Sequence, residues 1–178
     1  MTEPFDFERA FEALREATKP FAKAALFALR DDGFVTPFEQ LVACILSIRT
    51  FDETMLPAAK KLFEVARTPQ EILSLTISQI DALILTCTFH DQKAAQIREI
   101  ARRVTEEFGG ELPCDFETLT SLRGVGPKCA NLVLGIACNQ PRIGVDVHVH
   151  RVTNRWKRVS TKTPEQTLAA LEKVLPEK

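Results

Sequence analysis

Residues 115–134 read DFETLTSLRGVGPKCANLVL and predict two short helices joined by a glycine-rich turn. Asp115 is a residue type that caps a helix start, and apolar residues follow it with helical spacing. Gly124 and Gly126 allow a tight turn at dihedral angles that other residues resist. Pro127 suits the first position of the second helix, because its missing N–H would have no partner there. The segment therefore predicts a helix–hairpin–helix.

The same turn is suited to binding a phosphate. Amides at a helix start have no acceptor within the helix, and the positive end of the helix dipole attracts an anion. We expect Arg123, Gly124, Val125 and Gly126 to lie against a nucleic-acid backbone, with Val125 either packed inward or facing a groove. A glycine-rich turn that only joins two packed helices is the alternative.

Lys128 falls in the first turn of the second helix, where the dipole disfavours an exposed cation by about 0.3–1 kcal/mol. A structural lysine gains nothing from this position. A nucleophilic lysine does, because the dipole favours the neutral amine. We therefore predict that Lys128 is a nucleophile, with a plain cation bound to phosphate as the alternative.

Residues 143–152, IGVDVHVHRV, place one acid among apolar side chains. A partly buried carboxylate needs a partner or a function. Asp146 could cap the helix that follows, stabilise positive charge on a sugar as its base departs, or take a proton from Lys128. His148 and His150 are two residues apart, which is poor spacing for two metal ligands on one helix face, so we interpret them as packing or phosphate contacts.

Helical spacing of apolar residues extends along nearly the whole chain and predicts an all-α fold. Asp91 is expected to cap a helix that Gly109 ends, and the last helix is expected to include Val174 and Leu175. Residues 143–149 come nearest to strand alternation but do not require a sheet. Threonine–proline pairs typical of helix starts are Thr36-Pro37, Thr68-Pro69 and Thr163-Pro164.

Composition bounds the class of protein. The 178 residues, 45% of them hydrophobic, suit one domain or two small lobes around one core. No apolar run approaches the roughly 20 residues of a membrane helix, and the first six residues lack a signal core, so a cytoplasmic protein is expected. The five cysteines are scattered along the chain, which indicates reduced, buried thiols. Their spacing suits neither a set of disulfides nor a metal site. The cysteines are Cys44, Cys87, Cys114, Cys129 and Cys138.

The net charge of −1 does not by itself indicate a nucleic-acid binder, but the charge is uneven. Residues 142–162 contain six arginines and lysines, with Asp146 as their only acid. This segment favours phosphate contact, and a solvated basic face is the alternative.

Residues 122–128, LRGVGPK, followed by residues 145–151, VDVHVHR, resemble the endonuclease III family of DNA glycosylases with abasic-site lyase activity. The likeness extends over roughly residues 34–178, and the paired motifs are highly specific. The resemblance implies that Lys128 is the Schiff-base nucleophile and Asp146 its acidic partner. Family members that excise adenine or mismatched thymine generally lack a lysine here, so Lys128 implies the bifunctional branch. That branch removes oxidised pyrimidines such as thymine glycol and then cuts the strand by β-elimination.

Two loops extend the resemblance. Residues 46–52, LSIRTFD, resemble the loop that inserts a side chain into the gap left by a flipped nucleotide, with Arg49 where many bacterial members have glutamine. Residues 88–94, TFHDQKA, resemble the wedge loop, and Phe89 at its wedging position could replace the stacking lost on extrusion. The implied DNA-binding residues are Arg49, Phe89, His90, Lys93, Arg123, Gly124, Val125, Gly126, His148 and Arg151.

The implied fold is the helix–hairpin–helix DNA glycosylase fold, with two helical lobes and a cleft that receives the flipped base. We expect a barrel-like lobe over residues 34–139, with the hairpin at about 116–138, and a second lobe from residues 1–33 and 140–178. The implied partner is double-stranded DNA with damaged bases or abasic sites, bound at the nucleoid by a monomer.

The family usually continues into a further helix and four closely spaced cysteines that hold a [4Fe–4S] cluster. This sequence stops at Lys178 without such spacing, so we expect no metal or cofactor within it, and a cluster only if the native chain continues. A longer native chain is favoured, because the last apolar helix otherwise lacks a packing partner.

Two other functions stay open. One is a monofunctional glycosylase that acts on mismatched or alkylated bases and leaves the abasic strand uncut. The other is a non-catalytic module that uses the helix–hairpin–helix only to bind DNA phosphates.

Overall fold

A computed structural model describes residues 6–175, and this part of the chain contains eleven helices and no strand. The all-α prediction is confirmed. Within the same range, no helix is both long and apolar enough to cross a membrane. The helices are α1 Phe7–Thr18, α2 Ala25–Asp31, α3 Pro37–Ser47, α4 Asp52–Val65, α5 Pro69–Ser74, α6 Ile77–Leu83, α7 His90–Phe108, α8 Phe116–Ser121, α9 Pro127–Ile136, α10 Val147–Arg155 and α11 Pro164–Leu171.

The chain divides into two compact units, Ala24–Gly144 and Met1–Lys23 with Val145–Lys178. The sequence predicts that the larger unit, the barrel-like lobe, begins at residue 34 and ends at residue 139. The structure includes α2 in the larger unit, because Leu29 is fully buried there and α2 packs on α3 and α4. Residues 1–5 and 176–178, which the expected second lobe includes, lie outside the described residues.

Helix α3 lies at the centre of the core of the larger unit and contacts α2, α4, α7 and α9. Its side chains from Leu41 to Leu46 are buried on every face, as expected for a helix surrounded by others. Thr36 and Glu39 form a reciprocal capping box at its start, with Pro37 in the first turn. The sequence signal for this helix is therefore confirmed.

Two predicted helix ends differ from the structure. Phe89, in a left-handed conformation, is the N-cap of α7, so Asp91 lies inside the first turn and does not cap it. Gly109, with φ of 65°, ends α7 as predicted. Helix α11 ends at Leu171, and Val174 is 47% exposed, so the burial needed to extend the helix is missing there.

A disulfide joins Cys114 to Cys138, with their Cα atoms 5.9 Å apart. The prediction that all five cysteines are reduced is therefore wrong for this pair. Cys114 precedes α8 and Cys138 follows α9, and the packing of these two helices brings the two cysteines together. Their spacing in the sequence gives no indication of this pairing. The side-chain amide of Gln140 also donates to the Cys114 carbonyl over 2.8 Å. The remaining cysteines are buried thiols outside any disulfide, as predicted: Cys44, Cys87 and Cys129.

The smaller unit contains α1, α10 and α11. Helices α10 and α11 contact each other through a polar cluster. The Thr167 hydroxyl, which is buried, lies 2.6 Å from His150 Nδ1 and 2.5 Å from the Thr161 hydroxyl. Asn154 donates to Thr161 Oγ1 and accepts from its amide. Hydrogen bonds between side chains thus hold the two helices together.

Candidate functional site

The hairpin between α8 and α9 is held in one conformation. Gly124 has φ of 76°, and a side chain there would also meet the Gln96 amide nitrogen at 2.6 Å. That amide donates to the Arg123 carbonyl over 2.7 Å. Val125 is 5% exposed and its N–H donates to the Leu122 carbonyl, so it packs inward. The prediction of Val125 as a DNA contact is corrected: its side chain belongs to the core and its N–H is used within the turn.

The start of α9 presents an anion-binding geometry. Gly126 is its N-cap, with extended backbone, and no side chain in the described range caps this end. Pro127 occupies the first turn, as predicted. Gly126 and Arg123 are exposed, so the positive end of the helix faces outward beside a guanidinium-bearing residue.

Lys128 lies exposed in the first turn of α9, where the sequence placed it. Its neighbour Cys129 is buried, and its hydrogen bond with Cys44 and its burial raise the pKa of the Cys129 thiol well above its ordinary value. A thiol is nucleophilic only as the thiolate. The neighbouring thiol is thus inert, and the exposed Lys128 amine stays the predicted nucleophile at this helix start.

Gly144 packs directly against α9. A Cβ atom there would lie 2.8 Å from Leu132 Cγ and 3.4 Å from the Lys128 carbonyl oxygen. The backbone can approach the first turn of α9 this closely only because residue 144 has no side chain. No local sequence signal marks this glycine.

Asp146 caps α10 in the smaller unit. Its Oδ1 accepts from the amides of His148 and Val149, each over 2.9 Å, and the residue is partly buried. The capping interpretation is confirmed. Lys128 and Asp146 belong to different compact units, so their pairing stays a prediction.

The two histidines of α10 have different surroundings. His148 and Arg151 are exposed on α10 and can reach a ligand. His150 instead bonds Thr167 and Asn154, so it is a packing residue. Their spacing in the sequence leaves packing and phosphate contact open for both histidines.

The two loops predicted to touch DNA contact each other in the structure. The Arg49 guanidinium lies 6.0 Å from the centroid of the Phe89 ring. Phe89 is 46% exposed, and Arg49 is exposed as well. We name residues 46–50 and 86–89 the loop pair.

One residue predicted as a DNA contact faces inward. Lys93 is 4% exposed and donates to Leu46 O at 2.7 Å, Ile48 O at 2.8 Å and Thr50 Oγ1 at 3.0 Å. The prediction that Lys93 contacts DNA is wrong, because its ammonium is enclosed beneath the loop pair. The periodicity of α7 could have shown this, since Lys93 shares the buried face with Ala94 and Ile97.

His90 is also turned toward the protein. Its Nδ1 lies 2.5 Å from Asp81 Oδ1, and the side chain is about one-third exposed. This contact joins α6 to the start of α7. Asp81 engages one ring nitrogen of His90, and the DNA contact of this partly exposed side chain stays a prediction.

The described residues do not fit a [4Fe–4S] cluster, which needs four neighbouring cysteine ligands. Cys114 and Cys138 are bonded to each other, while Cys44 and Cys129 form a buried pair. Between residues 6 and 175, no group of three or more metal-ligating side chains comes together.

Comparison with known proteins identifies the fold and its relatives. The family model for HhH-GPD superfamily base excision DNA repair proteins matches residues 42–177. Endonuclease III of Thermotoga maritima is 43% identical over 166 residues, which cover 93% of this chain and 75% of the relative. Endonuclease III of Escherichia coli K12 is 39% identical over 144 residues, covering 81% and 68%.

Two solved structures resemble the chain over nearly its whole length. A non-covalent endonuclease III–DNA complex matches with a TM-score of 0.80 at 29% identity, covering 98% of this chain and 80% of that one. A trapped endonuclease III–DNA covalent intermediate matches with a TM-score of 0.78 at 28% identity and the same coverage.

Proposed function

Because the chain belongs to the HhH-GPD superfamily of base excision DNA repair proteins, we propose that it is a bifunctional DNA glycosylase and abasic-site lyase that acts on oxidised pyrimidines. The observation that carries the proposal is the exposed Lys128 in the first turn of α9, directly after the helix–hairpin–helix. The similarity to endonuclease III, including a structure solved with DNA, supports double-stranded DNA as the proposed partner.

The helix–hairpin–helix binds the DNA backbone. A phosphate at the start of α9 accepts from first-turn amides, and the exposed Arg123 adds a positive charge beside it. These contacts carry no sequence information but fix the register of the DNA. In this proposal the exposed side chains of His148 and Arg151 on α10 contact phosphate as well.

Lys128 performs the covalent chemistry. Its neutral Nζ bonds to C1′ of the extruded deoxyribose while the N-glycosidic bond breaks, and that bond's electron pair leaves with the base. The nitrogen loses a proton as the sugar ring opens, which gives the Schiff base. Removal of a C2′ proton then expels the 3′ phosphate by β-elimination and cuts the strand.

Asp146 supplies negative charge to the same reaction. A carboxylate near the sugar stabilises the positive charge that develops as the base departs, and it can accept the proton that Lys128 loses. Through Oδ1 the same carboxylate also caps α10.

Extrusion of the base requires a substitute for its stacking. In this proposal the half-exposed ring of Phe89 enters the gap, and the guanidinium of Arg49, 6.0 Å from the ring centroid, faces the opposite base. Oxidised pyrimidines are the proposed lesions because Lys128 marks the bifunctional branch of the endonuclease III family.

The test uses an end-labelled duplex with one thymine glycol, and the undamaged duplex as control. We expect base release and strand cleavage without heat or alkali. Abasic product that accumulates uncut would make the protein a monofunctional glycosylase. No base release from any lesion, with DNA affinity that survives Lys128→Gln, would reduce it to a binding module.

A further inference from the structure

We propose that Lys93 is a positioning residue whose buried ammonium holds the loop pair as one rigid element and thereby sets the discrimination between lesion-containing and intact DNA. The part of this inference that concerns DNA rests on the proposed function. The part that concerns the loops stands on the structure of the larger unit alone.

The ammonium of Lys93 uses all three of its N–H donors on one loop. They reach the carbonyls of Leu46 and Ile48 and the hydroxyl of Thr50, over 2.7 to 3.0 Å. Leu46 lies in the last turn of α3 and Ile48 is its C-cap, where carbonyls have no partner within the helix. A cation is also favoured there by the negative end of the helix dipole. Lys93 therefore completes the end of α3 and fixes the path of the chain that leaves it.

The same residue is tied to the second loop through its backbone. The Lys93 N–H donates to the Phe89 carbonyl over 3.0 Å in the first turn of α7. The Thr50 hydroxyl, which accepts from Lys93, also accepts from the Thr88 amide over 3.2 Å. Lys93 and Thr50 thus connect both halves of the loop pair through hydrogen bonds.

The two exposed residues of the loop pair need this support. Arg49 and Phe89 have φ of 53° and 57°, a left-handed conformation that costs free energy in residues other than glycine. Such residues persist only where their surroundings hold them. Without the Lys93 hydrogen bonds, both would relax toward ordinary conformations, and the Arg49–Phe89 contact would be lost.

Burying a charged side chain in the core costs desolvation free energy. Lys93 is 4% exposed without a carboxylate partner in its described contacts, and its burial lowers the pKa of the ammonium from the usual 10.5. A methionine of similar length would fill the site without this desolvation. What the ammonium supplies in return for this cost is its three hydrogen bonds to the loop pair.

The first test measures amide hydrogen exchange of the two loops in the full-length protein. Lys93→Met should raise exchange about tenfold or more in both halves of the loop pair, while the core of α3 and α9 keeps its protection. Thr50→Val should raise it in the same two segments. Thr50→Ser, which keeps the hydroxyl, and Lys61→Met, at an exposed lysine of α4, should exchange like the wild type. The proposal would be overturned if either half of the loop pair exchanged at the wild-type rate in Lys93→Met. A rise in exchange that is confined to residues 46–50 is one such result. If Lys93→Met fails to fold, Thr50→Val against Thr50→Ser decides the same question.

The second test measures DNA affinity with a duplex that carries a tetrahydrofuran abasic analogue. The ratio of affinities for this duplex and an intact one should fall about tenfold in Lys93→Met, while borohydride trapping on a single-stranded abasic oligonucleotide is unchanged. An unchanged ratio, or equal losses on both DNA forms, contradicts the positioning function. If the wild type neither discriminates nor traps, the proposed function fails, and the exchange experiment still tests the loop coupling.

Discussion

Arg49 and Phe89 contact each other across two separate loops, with the guanidinium 6.0 Å from the centroid of the ring. Each was predicted independently to meet DNA, and each has a positive φ. The structure shows that these are one exposed surface and not two. A substitution in either loop should therefore alter the conformation of both loops.

Replacement of Phe89 tests the wedge directly. Base–aromatic stacking contributes about 1–3 kcal/mol, so Phe89→Ala should weaken binding to an abasic-analogue duplex by about tenfold or more. The unfolding temperature should change little, because the ring is 46% exposed. Phe27→Ala is the matched control, since Phe27 is also 46% exposed, on α2. Equal affinity losses in the two variants would contradict the assignment of Phe89.

The Cys114–Cys138 disulfide predicts a definite thiol count. Unfolded, unreduced protein should titrate three thiols, and reduced protein all five. A closed loop of this length stabilises a fold by about 3 kcal/mol, so a reductant should lower the free energy of unfolding by that order. The double variant Cys114→Ser, Cys138→Ser should be insensitive to reductant. Five thiols without reduction would show that the bond is absent.

The buried Lys93 predicts a pH dependence. Its pKa is lowered in the folded protein, so the unfolded chain binds more protons between that lowered pKa and 10.5. The cost of the buried charge is fully present below this window and is relieved as the pH rises through it. The stability of the wild type relative to Lys93→Met should therefore increase with pH up to about 10.5, as measured by denaturant unfolding at several pH values. A difference that stays constant or decreases would contradict an enclosed ammonium.

Asp146 has a capping function that must be separated from its proposed electrostatic one. Asp146→Asn keeps a side-chain oxygen for the amides of His148 and Val149, so stability should be nearly unchanged. Base release should nonetheless fall, because the charge is lost. Asp146→Ala should lose about 1 kcal/mol of stability in addition. If Asp146→Asn cleaves the thymine-glycol duplex at the wild-type rate, Asp146 is only a cap.

Local signals in the sequence predicted much of this fold. The caps at Thr36, Thr68 and Asp115, the stop at Gly109 and the helix start at Pro127 depend on contacts within a few residues, and each occurs as expected. The position of Lys128 in the first turn of α9 follows from the same local rules.

Features that depend on packing between distant segments were not predicted. The disulfide requires α8 and α9 to fold back on each other, and the burial of Lys93 requires the end of α3 to lie over α7. A lysine beside two other polar residues looks exposed in a sequence, but three oxygens from residues 46–50 enclose it in the structure. The disulfide leaves no mark in the local sequence, and only the periodicity of α7 indicates that Lys93 lies on its buried face.

The most direct measurement is borohydride trapping on an abasic duplex, followed by peptide mapping of the adduct. The wild type should give one covalent complex, joined through Lys128 Nζ, because reduction of the Schiff base makes the bond permanent. Lys128→Ala should give none, while Lys61→Ala, at an exposed lysine of α4, should trap as well as the wild type. An adduct that persists in Lys128→Ala, or that maps to another residue, would contradict the account.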